Sequence, residues 1–176
     1  MGVEQDAGEC LDRLTRIAPD FPLPGVLFRD LTPVLADADA LSLIGAALVE
    51  GSEPFDVVAG LEARGFLLAA AAAMTAGTGV LAVRKPGKLP GRLLREEYAL
   101  EYGTASLELN PLDVRVGSRV LVVDDVLATG GTAAAAVRLL RSAGAVVTEV
   151  AVAIELLALR GRDRLPDVGV RAIRQY

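Results

Sequence analysis

Histidine and tryptophan are absent from the 176 residues, and cysteine occurs once, at Cys10. Without an imidazole there can be no Ser-His-Asp or Cys-His machinery and no His-ligated zinc site. Proton transfer near neutral pH is left to carboxylates, lysine, tyrosine, the single thiol, backbone groups or water. One cysteine excludes an intramolecular disulfide and a multi-thiolate metal cage, which fits a cytoplasmic, reducing setting. Positive charge is also in deficit: 18 Lys and Arg against 23 Asp and Glu give a net charge of −5. Such a chain is a poor general binder of nucleic acid or anionic membrane, because phosphate neutralisation needs clustered positive charge. Long apolar runs are missing as well. The one extended uncharged stretch, Phe66 to Val83, is dominated by alanine and broken at Thr75-Ala76-Gly77-Thr78-Gly79. It reads as a buried helix, a turn and a strand rather than a membrane span. Met1 to Cys10 is acidic and lacks an apolar h-region, so no secretory signal is expected there.

What is present is a good supply of core. The chain is 52% hydrophobic and 23% charged, which argues against disorder and for one domain over residues 1–176. Its pattern alternates short apolar runs with helical segments. Helices are predicted near residues 4–17, from an N-cap at Asp37 or Asp39 to about Gly51, over Gly65–Ala76, over Thr132–Ala143, and briefly over Glu155–Arg160. Strands are predicted at Asp56–Gly60, Gly79–Arg84, Arg119–Val123, Val146–Ile154 and Val168–Arg174. Phe21 to Gly25, with two prolines, must be an irregular loop. Lys85–Leu94 reads as a mobile loop, and Glu96–Leu100 with Ala105–Leu109 as a hairpin or flap. Strands alternating with helices predict an α/β fold with a doubly wound, mostly parallel sheet flanked by helices.

The chemistry is concentrated in Val122-Val123-Asp124-Asp125-Val126-Leu127-Ala128-Thr129-Gly130-Gly131-Thr132. An apolar strand delivers two carboxylates to the carboxyl edge of the sheet, where ligands of open α/β folds sit. The small-residue loop Ala128–Thr132 lets backbone N–H groups approach a phosphate, and the following helix adds unpaired donors and a favourable dipole. Two acids before an anion cradle make sense if the ligand also presents sugar hydroxyls, or hydrated Mg²⁺. The implied ligand is a ribose 5-phosphate. The loop lacks both a Gly-Lys-Ser/Thr ending and Gly-x-Gly-x-x-Gly, so neither a P-loop nor a dinucleotide fold is supported.

Val122–Thr132 resembles the phosphoribosyl-pyrophosphate (PRPP) loop of type I phosphoribosyltransferases. Four further segments are similar to the adenine branch of that family: Phe21-Pro22-x-Pro24-Gly25-Val26-x-Phe28-Arg29-Asp30, Ala59-Gly60-Leu61-Glu62-Ala63-Arg64-Gly65-Phe66, Val83 to Gly91, and Leu100-Glu101-Tyr102-Gly103. The resemblance implies a type I phosphoribosyltransferase fold with a small flap or hood. It implies transfer of the 5-phosphoribosyl group of PRPP to adenine, giving AMP and pyrophosphate in purine salvage, with Mg²⁺ held mainly by PRPP and water.

Residue by residue, the resemblance assigns Ala128, Thr129, Gly130, Gly131 and Thr132 to the 5′-phosphate and Asp124 and Asp125 to the ribose hydroxyls. Arg64, Arg84, Lys85 and Lys88 would face pyrophosphate. A non-proline cis peptide would join Glu62 and Ala63, where the family commonly has Asp-Ser. Val26, Leu27, Phe28, Arg29 and Val126 would form the adenine site, with Phe28 stacking and Arg29 donating to a ring nitrogen. Glu101 would contact the base near N7, while Arg64 and Lys88 support catalysis. Related enzymes are homodimers in which a basic residue reaches the neighbouring site. Two other readings share the loop: a phosphoribosyltransferase for another base, which the base-site segments oppose, and a PRPP-sensing regulator. The latter would need a nucleic-acid-binding module or a basic face, and the sequence offers neither.

Overall fold

The computed structural model describes residues 2–21, 23–99 and 104–176. The elements in chain order are α1 (Val3–Leu14), β1 (Arg16–Pro19), β2 (Leu27–Asp30), α2 (Thr32–Ala36), α3 (Ala38–Val49), β3 (Val57–Leu61), α4 (Arg64–Ala76), β4 (Gly79–Val83), β5 (Leu94–Ala99), β6 (Thr104–Leu109), β7 (Arg119–Leu127), α5 (Gly131–Ser142), β8 (Val146–Glu155) and β9 (Gly169–Gln175). Single 3-10 turns occupy Pro111–Asp113, Leu157–Leu159 and Gly161–Arg164.

Strands β3, β4, β7, β8 and β9 form one sheet in the order β4-β3-β7-β8-β9, and every pairing in it is parallel. Alternate side chains of its strands point to opposite faces, and in the inner strands β3, β7 and β8 both faces are largely buried. Ala59, Val120, Val122, Val150 and Val152 join one apolar cluster with α5 and the β5–β6 hairpin. Val58, Leu121, Val123, Ala151 and Ala153 join the other, with α1, α3 and α4. This two-sided burial explains the apolar runs Val57–Ala59, Val120–Val123 and Val150–Ile154. The antiparallel pairs are separate ribbons, β1 with β2 and β5 with β6. No helix among the described residues is long and apolar enough to cross a membrane.

Three boundaries depart from the sequence reading. The first helix ends at Leu14, and Arg16–Pro19 instead pairs with Leu27–Asp30. Thr15 is already extended at φ −64°, ψ 122°, and Pro19 biases the residue before it out of the helical region. The central strand does not stop at Val123 but runs through both aspartates to Leu127, because β8 pairs with it as far as Glu155. The segment expected as a short helix, Glu155–Arg160, is the end of β8, one 3-10 turn at Leu157–Leu159 and Arg160 in the left-handed region at φ 52°, with a second 3-10 turn following at Gly161–Arg164.

The α3 terminus is tied to the sheet by one side chain. Arg171 of β9 donates to the Glu50 carbonyl at 2.6 Å, the Leu48 carbonyl at 2.7 Å, the Ser52 hydroxyl at 2.7 Å and Glu149 Oε1 at 3.1 Å. The Leu48 and Glu50 carbonyls are among those that a helix end leaves without intrahelical partners. Arg171→Ala is expected to lower unfolding stability by about 1–3 kcal/mol, read as a reduced urea midpoint at unchanged m-value.

Candidate active site

The site lies at the carboxyl edge of the parallel sheet, where β3, β4 and β7 end side by side. Strand β7 brings Asp124 and Asp125 there, and its extension through them fixes their directions by the pleat. Asp125 is buried and accepts from the Nε of Arg64, the first residue of α4. The Arg64 guanidinium also lies 5.5 Å from the centroid of the Phe28 ring on β2. An acid from β7, a cation from the β3–α4 turn and an aromatic ring from the β1–β2 ribbon therefore meet at one point. Phe28 is steadied by Phe21, edge to face at a centroid distance of 5.1 Å.

Asp124 occupies the opposite side of the pleat. Its Oδ1 accepts from the Asp125 amide at 2.9 Å. Gly65 packs against it: a Cβ there would stand 2.7 Å from Asp124 Oδ1 and 3.1 Å from the Val123 carbonyl oxygen. Burial and the adjacent Asp125 charge push the Asp124 carboxyl well above the ordinary aspartate value.

Beyond β7, residues Leu127 to Ala133 together with Asp124 and Val126 line a small cavity of about 70 Å³. Gly130 is left-handed at φ 77° and immediately precedes α5. Gly130, Gly131 and Thr132 at the start of α5 are thus among the residues that line the cavity. Thr132 at the start of α5 also donates through its hydroxyl to the Tyr98 phenol of β5 at 3.3 Å. Arg138, further along α5, binds Glu96 of β5 at 2.6 Å. The flap strand is thereby docked on the helix that carries the loop.

The basic segment after β4 is organised by Glu62. Its Oε2 accepts from the Lys85 amide at 2.9 Å and from Arg84 Nε at 3.3 Å. Burial raises the Glu62 carboxyl, but these two donors outweigh it and hold the group below its usual range. The Glu62–Ala63 peptide is cis, as the family resemblance implied. Arg84 also donates to the Lys88 carbonyl at 3.4 Å and lies 5.7 Å from the Phe66 ring centroid. Gly87 donates to Glu108 Oε2 at 2.9 Å, so Arg84 to Lys88 is a shaped loop rather than an unconstrained one.

The remaining expected residues are distributed less simply. Val26 and Leu27 are exposed on the β1–β2 ribbon, and Val126 is half-buried against the helix-side core. The Arg29 guanidinium lies 3.5 Å from the Tyr176 ring centroid, so its head group is engaged with the last described residue. Glu101, the expected base contact, lies outside the described residues, as do Leu100, Tyr102 and Gly103. Among the described residues, no cluster of three or more His, Cys, Asp or Glu is placed to hold a metal ion.

Sequence reasoning missed Tyr98, Glu155, Gly161, Arg162 and Tyr176. One signal was available: Glu155 follows the buried apolar run Val150–Ile154, and a buried carboxylate needs a partner.

Residues 42–175 match the family described as the phosphoribosyl transferase domain. The chain belongs to the phosphoribosyltransferase family. Within it, the chain is 59% identical over 170 residues to an adenine phosphoribosyltransferase of Clavibacter michiganensis subsp. michiganensis, covering 97% of each chain. It superimposes on the crystal structure of adenine phosphoribosyltransferase from Thermoanaerobacter pseudethanolicus with a TM-score of 0.90 at 44% identity, over 96% of this chain and 99% of that one. A second solved structure, adenine phosphoribosyltransferase from Saccharomyces cerevisiae, aligns with a TM-score of 0.89 at 32% identity, over 96% and 99% of the respective chains. The yeast enzyme was crystallised with adenine and an imino-altritol bisphosphate. The phosphoribosyltransferase fold and the adenine-branch segments of the sequence therefore agree.

The raised Asp124 carboxyl makes a stability statement. Its ionised form is disfavoured in the fold, so the penalty is absent below the ordinary value of 3.8. It grows as pH rises from there through the higher folded value, and is full above it. Asp124→Asn, which keeps an acceptor for the Asp125 amide, is expected to raise the Tm of the substrate-free protein at neutral pH. The gain should disappear in acid, as followed by thermal melts across a pH series.

Proposed function

We propose that this chain transfers the 5-phosphoribosyl group of PRPP to N9 of adenine, releasing pyrophosphate and giving AMP. The observation that carries this reading is the meeting of Phe28, Arg64 and the Asp124–Asp125 pair beside the Ala128–Thr132 loop. That arrangement offers a face for a purine, a cation for a leaving anion, acceptors for sugar hydroxyls and backbone donors for a phosphate. The adenine phosphoribosyltransferase relatives support the choice of base.

In the mechanism, Ala128 to Thr132 bind the 5′-phosphate, and Asp124 and Asp125 accept from the ribose hydroxyls. A hydroxyl donor at Asp124 adds a hydrogen bond to the one its Oδ1 accepts from the Asp125 amide, so sugar binding and ionisation of this carboxyl reinforce one another. Departure of pyrophosphate leaves positive charge at the anomeric carbon. Arg64, with Arg84, Lys85 and Lys88 on the shaped loop, stabilises the departing anion more than the ground state. The donor set fits Mg²⁺: an adjacent carboxylate pair, one already committed to Arg64, matches the one or two carboxylates that typically meet a Mg²⁺ held by substrate oxygens and water. When bound, Mg²⁺ would neutralise charge on the pyrophosphate.

The purine stacks on Phe28, worth about 1–3 kcal/mol by analogy with base stacking elsewhere. Val26, Leu27 and Val126 complete the apolar site, and backbone groups near Val26 and Leu27 read the base edge. For Arg29 to donate to a ring nitrogen, its guanidinium must leave the Tyr176 ring. Glu101 receives or orients the ring proton, the role left open by the lack of histidine. The protein acts as a single catalytic domain in a cytoplasmic homodimer. Leu67 and Met74 on α4 and Val80 on the edge strand β4 are exposed apolar side chains that a second copy would cover. Sedimentation should give twice the 18.3 kDa chain mass.

A steady-state panel of adenine, hypoxanthine, guanine, xanthine and uracil with PRPP and Mg²⁺ tests the reaction. Turnover is expected with adenine, and activity confined to an oxopurine would overturn the assignment. Glu101→Gln should lower kcat far more than PRPP affinity. Asp124→Asn combined with Asp125→Asn should instead weaken PRPP binding in calorimetry.

A further inference from the structure

The phosphate loop has a back wall. Gly130 and Gly161, far apart in sequence, face each other backbone to backbone. A Cβ on Gly130 would stand 2.9 Å from the Gly161 carbonyl carbon and 3.1 Å from its Cα. A Cβ on Gly161 would stand 2.9 Å from Leu127 Cγ and 3.1 Å from the Gly130 nitrogen, and would collide with the Ala128 carbonyl oxygen. Real Cβ atoms do not occupy such positions, so neither side of this contact tolerates a side chain while the loop keeps its shape.

Gly161 is held there from one residue away. Arg162 meets Glu155 with a two-pronged fork, Nε to Oε1 at 2.6 Å and Nη2 to Oε2 at 2.7 Å. Its remaining Nη1 donates to the Val170 carbonyl at 2.7 Å. Gln175 adds a donor to Glu155 Oε2 at 2.8 Å. Glu155 is 2% exposed and pairs in register with Leu127, the residue at the root of the loop. The Leu156 amide donates to the Leu127 carbonyl at 2.9 Å. The fork therefore connects the strand beside the loop to the turn behind it. A planar, bidentate guanidinium fixes direction as well as distance, which an ammonium cannot do.

We propose that Arg162 is a positioning residue for the ribose 5-phosphate site: through Glu155 it presses Gly161 against Ala128–Gly130 and holds the loop amides in the geometry that takes the phosphate. This rests on the reading of Ala128–Thr132 as the phosphate loop. The wall's direct contacts are with Leu127, Ala128 and Gly130, so its first effect falls on the phosphate end of the substrate.

The test compares the wild-type protein with Gly161→Ala, Arg162→Ala and Arg162→Lys by calorimetry with ribose 5-phosphate and by steady-state kinetics with PRPP and adenine. Expected are a tenfold or greater loss of ribose 5-phosphate affinity and a matching rise in KM for PRPP, with KM for adenine moving less than twofold. Arg162→Lys, which keeps the charge but not the fork, is expected to restore less than half of the lost affinity on a logarithmic scale. A merely structural lesion would lower the active fraction, and hence kcat, while leaving both KM values in place. Unchanged ribose 5-phosphate affinity in folded variants, or equal rises in both KM values, would overturn the proposal. If Gly161→Ala does not fold, the Arg162→Lys result decides by the same criteria. Failure of the wild-type protein itself to bind ribose 5-phosphate would instead refute the phosphate-loop reading on which the proposal stands.

Discussion

Burial of β7 on both faces is the constraint through which the site is built. It is the middle strand of the sheet, paired with β3 on one side and β8 on the other. Val120, Leu121, Val122 and Val123 are fully buried, each worth about 1.5–3 kcal/mol of transfer free energy. A slip of one residue would exchange the two faces of the whole strand. The register is therefore fixed, and with it the positions of the two aspartates that follow. Apolar burial upstream offsets the unfavourable placement of adjacent carboxylates at the strand end.

The two carboxylates receive different treatment because the pleat sends them to different neighbours. Asp125 meets the Arg64 guanidinium and is compensated within the protein. Asp124 meets the backbone of Gly65, the Arg64 charge offsets its burial only in part, and its ionised form remains disfavoured. An acid pair that looks symmetrical in the sequence is electrically asymmetrical in the fold. The disfavoured member lines the cavity beside the Ala128–Thr132 loop, where the proposed function places a sugar hydroxyl donor.

Long-range ties do the rest. Tyr176 donates to Asp12 at 2.6 Å, stacks on Arg29 and donates its amide to the Glu155 carbonyl. The same Glu155 receives Arg162, and β8 carries it to the side of Leu127. Helix α1, the β1–β2 ribbon that presents Phe28, and the turn behind the phosphate loop are thus joined through the last strand. The flap is joined separately, through Tyr98 to Thr132 and Glu96 to Arg138. Substrate-facing segments that are irregular in themselves become definite because each is bonded to a sheet strand or to α5.

Most of the α/β pattern was legible in the chain because its determinants are local. Two-sided strands read as continuous apolar runs, Asp37 caps α3 through the Ala40 amide at 2.9 Å, and the acid pair with its small-residue loop carries its own chemical logic. The sequence by itself determined the parallel sheet, the phosphate-loop motif and the exclusion of imidazole chemistry. It did not determine that Arg16–Pro19 would leave the first helix for a ribbon, since that choice depends on partner residues eight to fourteen positions away. Nor did it reveal the wall at Gly161, the fork between Arg162 and Glu155, or the contact of Arg29 with Tyr176. Only tertiary structure decided these. A glycine's need for space and a buried carboxylate's need for a partner are set by what the folded chain brings beside them, and neighbours in the sequence carry no record of it.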